Sequence, residues 1–128
     1  MKQFALIALI LLAACKDETI SGYAEDGAVW QLESINGAAF KARATLTFPQ
    51  PGKIAGSGPC NRYFGKQTAP YPWFSVDGVA STKRACPDMR AESVFFESLR
   101  MMTLSEATGT TLILSNDAGD QMIFKASE

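Results

Sequence analysis

The chain has 128 residues, with 12 Lys+Arg against 13 Asp+Glu, a formal net charge of −1 and 47% hydrophobic residues. This is ordinary globular composition at the length of one domain, neither disordered nor collagen-like. It contains no histidine, which excludes Ser-His-Asp and Cys-His nucleophilic sites, His-ligated metals and imidazole pH switches; the near-balanced charge, with no long basic run, argues against a nucleic-acid partner.

Met1-Lys2-Gln3 is a short positive start, and Phe4 to Leu12 is uniformly apolar. That run has the length of a signal-peptide core and falls short of the about 20 residues of a spanning helix. Leu12-Ala13-Ala14-Cys15 follows. Leu at the third place before a Cys resembles the bacterial lipobox. The resemblance implies a leader over residues 1–14, cleavage before Cys15, and acylation of Cys15 on sulfur and on the new amine. Three acyl chains exceed the two signals that stable anchoring needs, each buried methylene contributing about 0.8 kcal/mol. Lys16 stands where Asp would signal inner-membrane retention, so in a Gram-negative host the implied location is the outer membrane, facing the periplasm. Residues 15–26 are polar and read as a tether with little order; residues 27–128 are the expected domain.

Ala28 to Ile35 alternates as a strand with one mostly apolar face, stopped by the turn Asn36-Gly37. Ala44 to Phe48 is a second strand, Pro49 to Gly52 a turn, and Lys53 to Gly58 a return strand. Gly56 and Gly58 within it predict a bulge or a close backbone approach. Asn61 to Gly65 continues as irregular structure or strand, and Thr68 to Pro72 is a loop. Trp73 to Val76 and Val79 to Ser81 read as short strands around a turn at Asp77-Gly78. One helix is expected from Pro87 or Asp88 to Met102, with Ala91, Phe95, Leu99 and Met102 as its apolar stripe. Thr103 to Thr108 leads to a turn at Gly109. Thr110 to Leu114 and Gln121 to Lys125 form a hairpin around Ser115 to Asp120. The expected fold is therefore α+β: a small antiparallel curved sheet or incomplete β-barrel with one α-helix packed on it.

Export would place Cys60 and Cys86 in an oxidising compartment, where an isolated pair is expected to form a disulfide worth about 3.5 kcal/mol on the chain-entropy account. A metal site would need more ligands than two thiols, and a catalytic thiolate would lack its imidazole.

Four ordered blocks are distinctive: Trp30-Gln-Leu-Glu-Ser-Ile-Asn-Gly37, Gly56-Ser-Gly-Pro-Cys-Asn-Arg-Tyr-Phe-Gly65, Thr82 to Cys86, and Glu92-Ser-Val-Phe-Phe-Glu-Ser-Leu99. Together, over about residues 27–127, they resemble the META domain family, that of the HslJ-like heat-shock lipoproteins. Pro59 before Cys60 is a departure of little consequence. The resemblance implies a small antiparallel fold with one helix, in bacterial envelope proteins and some secreted parasite proteins linked to heat shock, antibiotic tolerance and virulence. No catalytic activity is established for the family, so its motif residues carry over as signature positions.

Gly56-Ser57-Gly58 reads as sheet geometry, since no helix N-terminus or G-K-[ST] follows to cradle a phosphate. Asn61 is expected to satisfy backbone groups in a bend. A disulfide would pin the helix start beside Asn61 and Arg62 and draw Lys83 and Arg84 to the same end, making these four the candidate ligand contacts. Asp88 and Glu92 are explained by helix-start charge. Asn116 to Asp120 resembles a calcium loop loosely, lacks the distal Glu, and reads as a hairpin turn. Trp30 and Trp73 are expected as core or edge anchors. No catalytic residue, metal or cofactor is expected. The functional expectation is a non-enzymatic envelope lipoprotein acting as a stress- or antibiotic-tolerance binding module, its partners the membrane through the lipid and an unidentified envelope protein or ligand. The alternative is a small lipid-anchored inhibitor of an envelope hydrolase such as lysozyme, with Gln67 to Pro72 as the projecting loop. An enzyme built on Lys, Arg and carboxylates would need a concave pocket with perturbed pKa values.

Cys15→Ser should abolish acylation and normal processing. The mass and first residue of the purified mature chain check this: a chain that starts elsewhere and carries no lipid overturns the anchor.

Overall fold

Alternating side chains and turn chemistry produce nine strands, one helix and one 3₁₀ turn in a computed structural model that describes residues 17–127. The expected leader over residues 1–14, Cys15 and Lys16 lie outside the described residues. In chain order the strands are β1 (Val29–Ile35), β2 (Ala38–Ala39), β3 (Thr45–Leu46), β4 (Lys53–Ser57), β5 (Arg62–Lys66) and β6 (Asp77–Ser81). Helix α1 (Met89–Met101) follows, then β7 (Leu104–Thr108), β8 (Thr111–Ser115) and β9 (Gln121–Ser127).

The pairing is antiparallel throughout. One sheet runs β2-β1-β9-β8-β7, with β3 beside β1; the other runs β4-β5-β6. A bridge from Thr47 to Ala55 joins the two. At that seam the backbones come so close that a Cβ on Gly56 would strike the Thr45 carbonyl. The expected close approach at Gly56 is thus real, and β3 is short because its chain leaves β1 to pair with β4. The Asn36-Gly37 turn takes positive φ at both residues, the I′ geometry that matches strand twist. The result is a curved, incomplete barrel rather than a closed one.

Three expectations need correction. Thr103 to Thr108 is not mere approach to a turn: Leu104–Thr108 is β7, paired to β8 from Leu104↔Ser115 to Thr108↔Thr111. Its polar run Ser105-Glu106 hides the strand pattern because only Ser105 faces inward. Trp73 to Val76 forms no strand; Trp73 makes an isolated bridge to Leu104, and the strand runs through Asp77-Gly78 instead. Residues 17–26 are also better ordered than a tether. Ile20–Gly22 forms a 3₁₀ turn, Ile20 is wholly buried, and Tyr23 stacks on Tyr71 at 4.2 Å. Ile20 belongs to the core and Ala24 packs against it, so a few apolar side chains dock an otherwise polar stretch. Partial desolvation raises the Asp17 carboxyl, but bonds from the Ser21 and Thr19 hydroxyls and the Thr19 amide outweigh it and hold it below its ordinary range.

The core joins Trp30, Leu32, Leu112, Leu114, Met122 and Phe124 of the larger sheet to Ile54 and Tyr63 of the smaller one. Helix α1 covers the concave side with Phe95, Phe96 and Leu99, and Met102 caps its end. The expected stripe holds at Phe95, Leu99 and Met102, all buried. Tyr63 meets Phe95 and Phe96 edge-on, with centroids at 5.6 and 5.3 Å. Its hydroxyl donates to the Thr45 carbonyl at 2.6 Å, and burial pushes its ionisation far above the ordinary value.

Tyr63→Phe should cost about 1–2 kcal/mol at neutral pH, since it leaves the Thr45 carbonyl without its donor. The folded protein holds the hydroxyl neutral, so the wild type has its full stability below the unfolded pKa. Above about pH 10 the unfolded chain alone releases the proton, and wild-type stability should fall by about 1.4 kcal/mol per pH unit from this group. The Phe variant lacks that loss. Urea unfolding from neutral to alkaline pH should therefore show the two stabilities converging above about pH 10; a constant gap would contradict it.

Candidate functional site

The end of the barrel where β5 begins is built on a buried carboxylate. Glu92 lies on α1 and is 4% exposed. Its Oε1 accepts from the Asn61 amide at 2.7 Å and the Cys60 amide at 3.1 Å, and its Oε2 from Asn61 Nδ2 at 2.7 Å. Charged acceptors gain most from N–H donors in such a place, and these bonds offset the desolvation. Glu92 is therefore not merely a helix-start charge facing solvent. Gly58 makes the approach possible, because a Cβ there would stand 2.7 Å from Glu92 Oε1. The Gly58 amide donates to the Asn61 carbonyl at 2.7 Å, closing the turn around Pro59.

Asn61 uses every polar valence it has. Besides Glu92, Nδ2 donates to the Arg84 carbonyl at 3.0 Å, and Oδ1 accepts from the Arg84 amide at 2.7 Å and the Thr82 hydroxyl at 2.9 Å. Asn61 is 4% exposed and satisfies backbone groups in a bend, as its position before β5 leads one to expect. Cys60 and Cys86, 26 positions apart in sequence, are disulfide-bonded with Cα atoms 5.9 Å apart, within the usual span for such a bond. The bond and the Asn61 network hold residues 82–86 against the start of α1.

Between this segment and the outer side of α1 opens a cleft of about 650 Å³. Asn61, Lys83 and Arg84 line it, so three of the four expected contacts converge. Arg62 does not line it; it is exposed at the start of β5, on the face opposite buried Tyr63. Lys83 and Arg84 are both exposed, and Arg84 enters the network through its main chain alone. The helix supplies what sequence reading missed: Met89, Ser93, Phe96, Glu97 and Arg100. Their spacings of three and four residues form a second stripe beside the core stripe, and that periodicity was the available signal. The Arg100 guanidinium lies 6.0 Å from the centre of the Phe96 ring. The cleft thus sets three cations, Lys83, Arg84 and Arg100, against one exposed acid, Glu97, beside the Phe96 ring, a balance suited to holding an anion with an apolar body.

Elsewhere the alternatives dissolve into local structure. Asn116 Oδ1 accepts from the Ala118 and Asp120 amides, both at 3.0 Å, as a hairpin turn requires. Among the described residues no three His, Cys, Asp or Glu side chains are grouped to hold a metal. Gln67 to Pro72 is tied down at both ends, although Thr68, Pro70 and Pro72 are exposed. Gln67 is 1% exposed, its Oε1 accepts from the Ala69 and Ser75 amides, and the Pro72 carbonyl accepts from the Ser105 amide on β7.

Glu92→Ala should cost about 3 kcal/mol or more, because three donors lose a charged acceptor. Glu92→Gln should recover part of this, its amide carbonyl replacing one acceptor while its NH2 meets a donor. Urea unfolding measures both, and hydrogen exchange at the Asn61 and Arg84 amides should quicken in each. Unchanged stability in the Ala variant would remove Glu92 from its structural role.

The META domain family model matches residues 24–128. No curated protein matches the chain. Among solved structures, the fold is similar to that of a Burkholderia xenovorans protein determined by NMR, 25% identical, with a TM-score of 0.63 over 80% of this chain and 83% of that one. A second NMR structure is 23% identical with a TM-score of 0.59, over 77% and 87% of the two chains. A DUF4847 family protein from Bacteroides vulgatus ATCC 8482 shares the fold at 18% identity and a TM-score of 0.52, over 64% and 57%. With three of its four signature blocks joined at one corner and the family match spanning nearly the whole described domain, this chain belongs to the META domain family.

Proposed function

We propose that the chain is a non-enzymatic, lipid-anchored envelope protein whose cleft binds an anionic ligand with an apolar body, and that this binding contributes to stress or antibiotic tolerance. The observation that carries the reading is the division of labour at the cleft. Its buried polar residues, Asn61 and Glu92, are spent on holding the chain. What remains toward the opening is Lys83, Arg84 and Arg100, which outnumber the one exposed acid there, Glu97, and stand beside Met89 and Phe96. A volume of about 650 Å³ is in the range of small-ligand sites. Cys15 would anchor the protein in the outer membrane, facing the periplasm. Inhibition of an envelope hydrolase such as lysozyme draws less support, because the loop it would use is sewn to β7.

The test is complementation under heat and antibiotic challenge. A strain lacking the protein should lose survival, and wild type should restore it. Lys83→Glu with Arg84→Glu, at equal abundance and with an unchanged unfolding midpoint, should not. Full rescue by the double variant would overturn the cleft as the working surface.

A further inference from the structure

Rings of Tyr and Trp gather where the N-terminal segment joins the domain. Tyr23 is 47% exposed and Trp73 is 58% exposed, and Tyr23 stacks on Tyr71. The Tyr71 amide donates to the Glu18 carbonyl at 2.6 Å, so this face surrounds the first described residues. Ile20 is wholly buried beneath it. Tyr71 packs partly against the core, but the outer faces of Tyr23 and Trp73 are left in solvent; Tyr and Trp are the residues that sit best at a membrane–water interface.

The length of chain outside the described residues sets the distance to the bilayer. A free tether over residues 15–26 would let the domain wander about 20 Å from its lipid. Because the chain from Asp17 onward is docked, only Lys16 separates the anchor residue from the fold. Two residues of extended chain reach about 7 Å. An acylated Cys15 therefore holds the Tyr23, Tyr71 and Trp73 face against the headgroups. Glu18 and Glu106 are exposed in the same region, which suits a zwitterionic interface better than an acidic partner.

The cleft begins at the other end of the barrel, beside Asn61 and Met89, and runs along α1 toward Arg100. Strand β5 starts at Arg62, beside Asn61 of the cleft, and ends at Lys66. Gln67 follows and organises the loop that carries Tyr71 and Trp73. Five strand residues span about 16 Å. We infer that the Tyr23, Tyr71 and Trp73 face docks on the phospholipid bilayer and holds the domain with the Met89 end of its cleft turned toward the aqueous compartment. This rests on the lipid-anchor reading and deepens it: the anchor orients the domain as well as retaining it.

The experiment uses the full acylated protein in vesicles of phosphatidylethanolamine and phosphatidylcholine carrying acyl chains brominated near the headgroup. Trp30 is wholly buried, so the emission that brominated lipid quenches reports Trp73. Wild type should lose that emission, and Trp73→Phe should show no loss. Met89→Trp in the Trp73→Phe background puts the reporter in the cleft, and it should keep its emission. Acyl mass on Cys15 together with unquenched Trp73 overturns the docking and leaves the anchor standing. No acyl mass on Cys15 overturns both. Equal quenching at the two positions overturns the orientation.

Discussion

A carboxylate taken out of water demands donors, and at Glu92 that demand organises one end of the protein. Two of the three donors are consecutive backbone amides, at Cys60 and Asn61, which dictates the shape of the chain there. Only a residue without a side chain fits at Gly58. Asn61 must turn its Nδ2 toward Glu92, which leaves its Oδ1 for the Arg84 amide and the Thr82 hydroxyl. A helix, a turn and the segment after β6 are thereby locked by one anion and one amide side chain. Buried networks of this kind are stable only when every member is satisfied, and here Asn61 is. The Cys60–Cys86 bond adds a covalent limit to how far the same elements can separate.

The cleft is a consequence of this lock. Residues 82–86 are held by their backbone, so the side chains of Lys83 and Arg84 are free to face outward. The helix contributes the facing wall because its core stripe, Phe95 and Leu99, is already fixed against Tyr63 and the larger sheet. Neighbouring positions one step around the helix then have nowhere to point but the opening. A rigid frame with polar and apolar side chains facing one concavity is the usual architecture of a small binding site.

At the opposite end the barrel is left unclosed, and loops do the work of strands. Phe74 and Pro72 exchange backbone bonds with Thr103 and Ser105, covering an edge that would otherwise invite pairing with another chain. The N-terminal segment adds to that cover through Ile20 and Tyr23. The domain is therefore polar in architecture: a hydrogen-bonded, disulfide-held corner at one end, an aromatic seam that receives the N-terminal segment at the other.

Much of this was written in the sequence. Strand alternation at Val29–Ile35, the Asn36-Gly37 turn, the Phe95-Leu99-Met102 stripe and the final hairpin are local patterns, and local sterics and periodicity decide them. The family blocks likewise pointed to the corner where Cys60, Asn61 and Cys86 meet. Other features were not legible because they depend on residues far apart in the chain. β7 has a polar surface run and becomes a strand only because β8 offers it an edge. Ile20 looks like one apolar residue in a tether until the core it joins exists. Glu92 reads as a solvated helix-start charge until a turn some thirty positions earlier presents two amides to it. Arg62 adjoins Asn61 in the chain, but adjacent strand residues face opposite ways, and the inward side is taken by Tyr63. Local pattern thus determined most of the elements, and the ordered motif blocks the family and its paired cysteines; only tertiary contact decided which charges were buried, which were left at the cleft, and which end of the domain receives the N-terminal segment, because burial is a property of what packs against a residue and not of the residue itself.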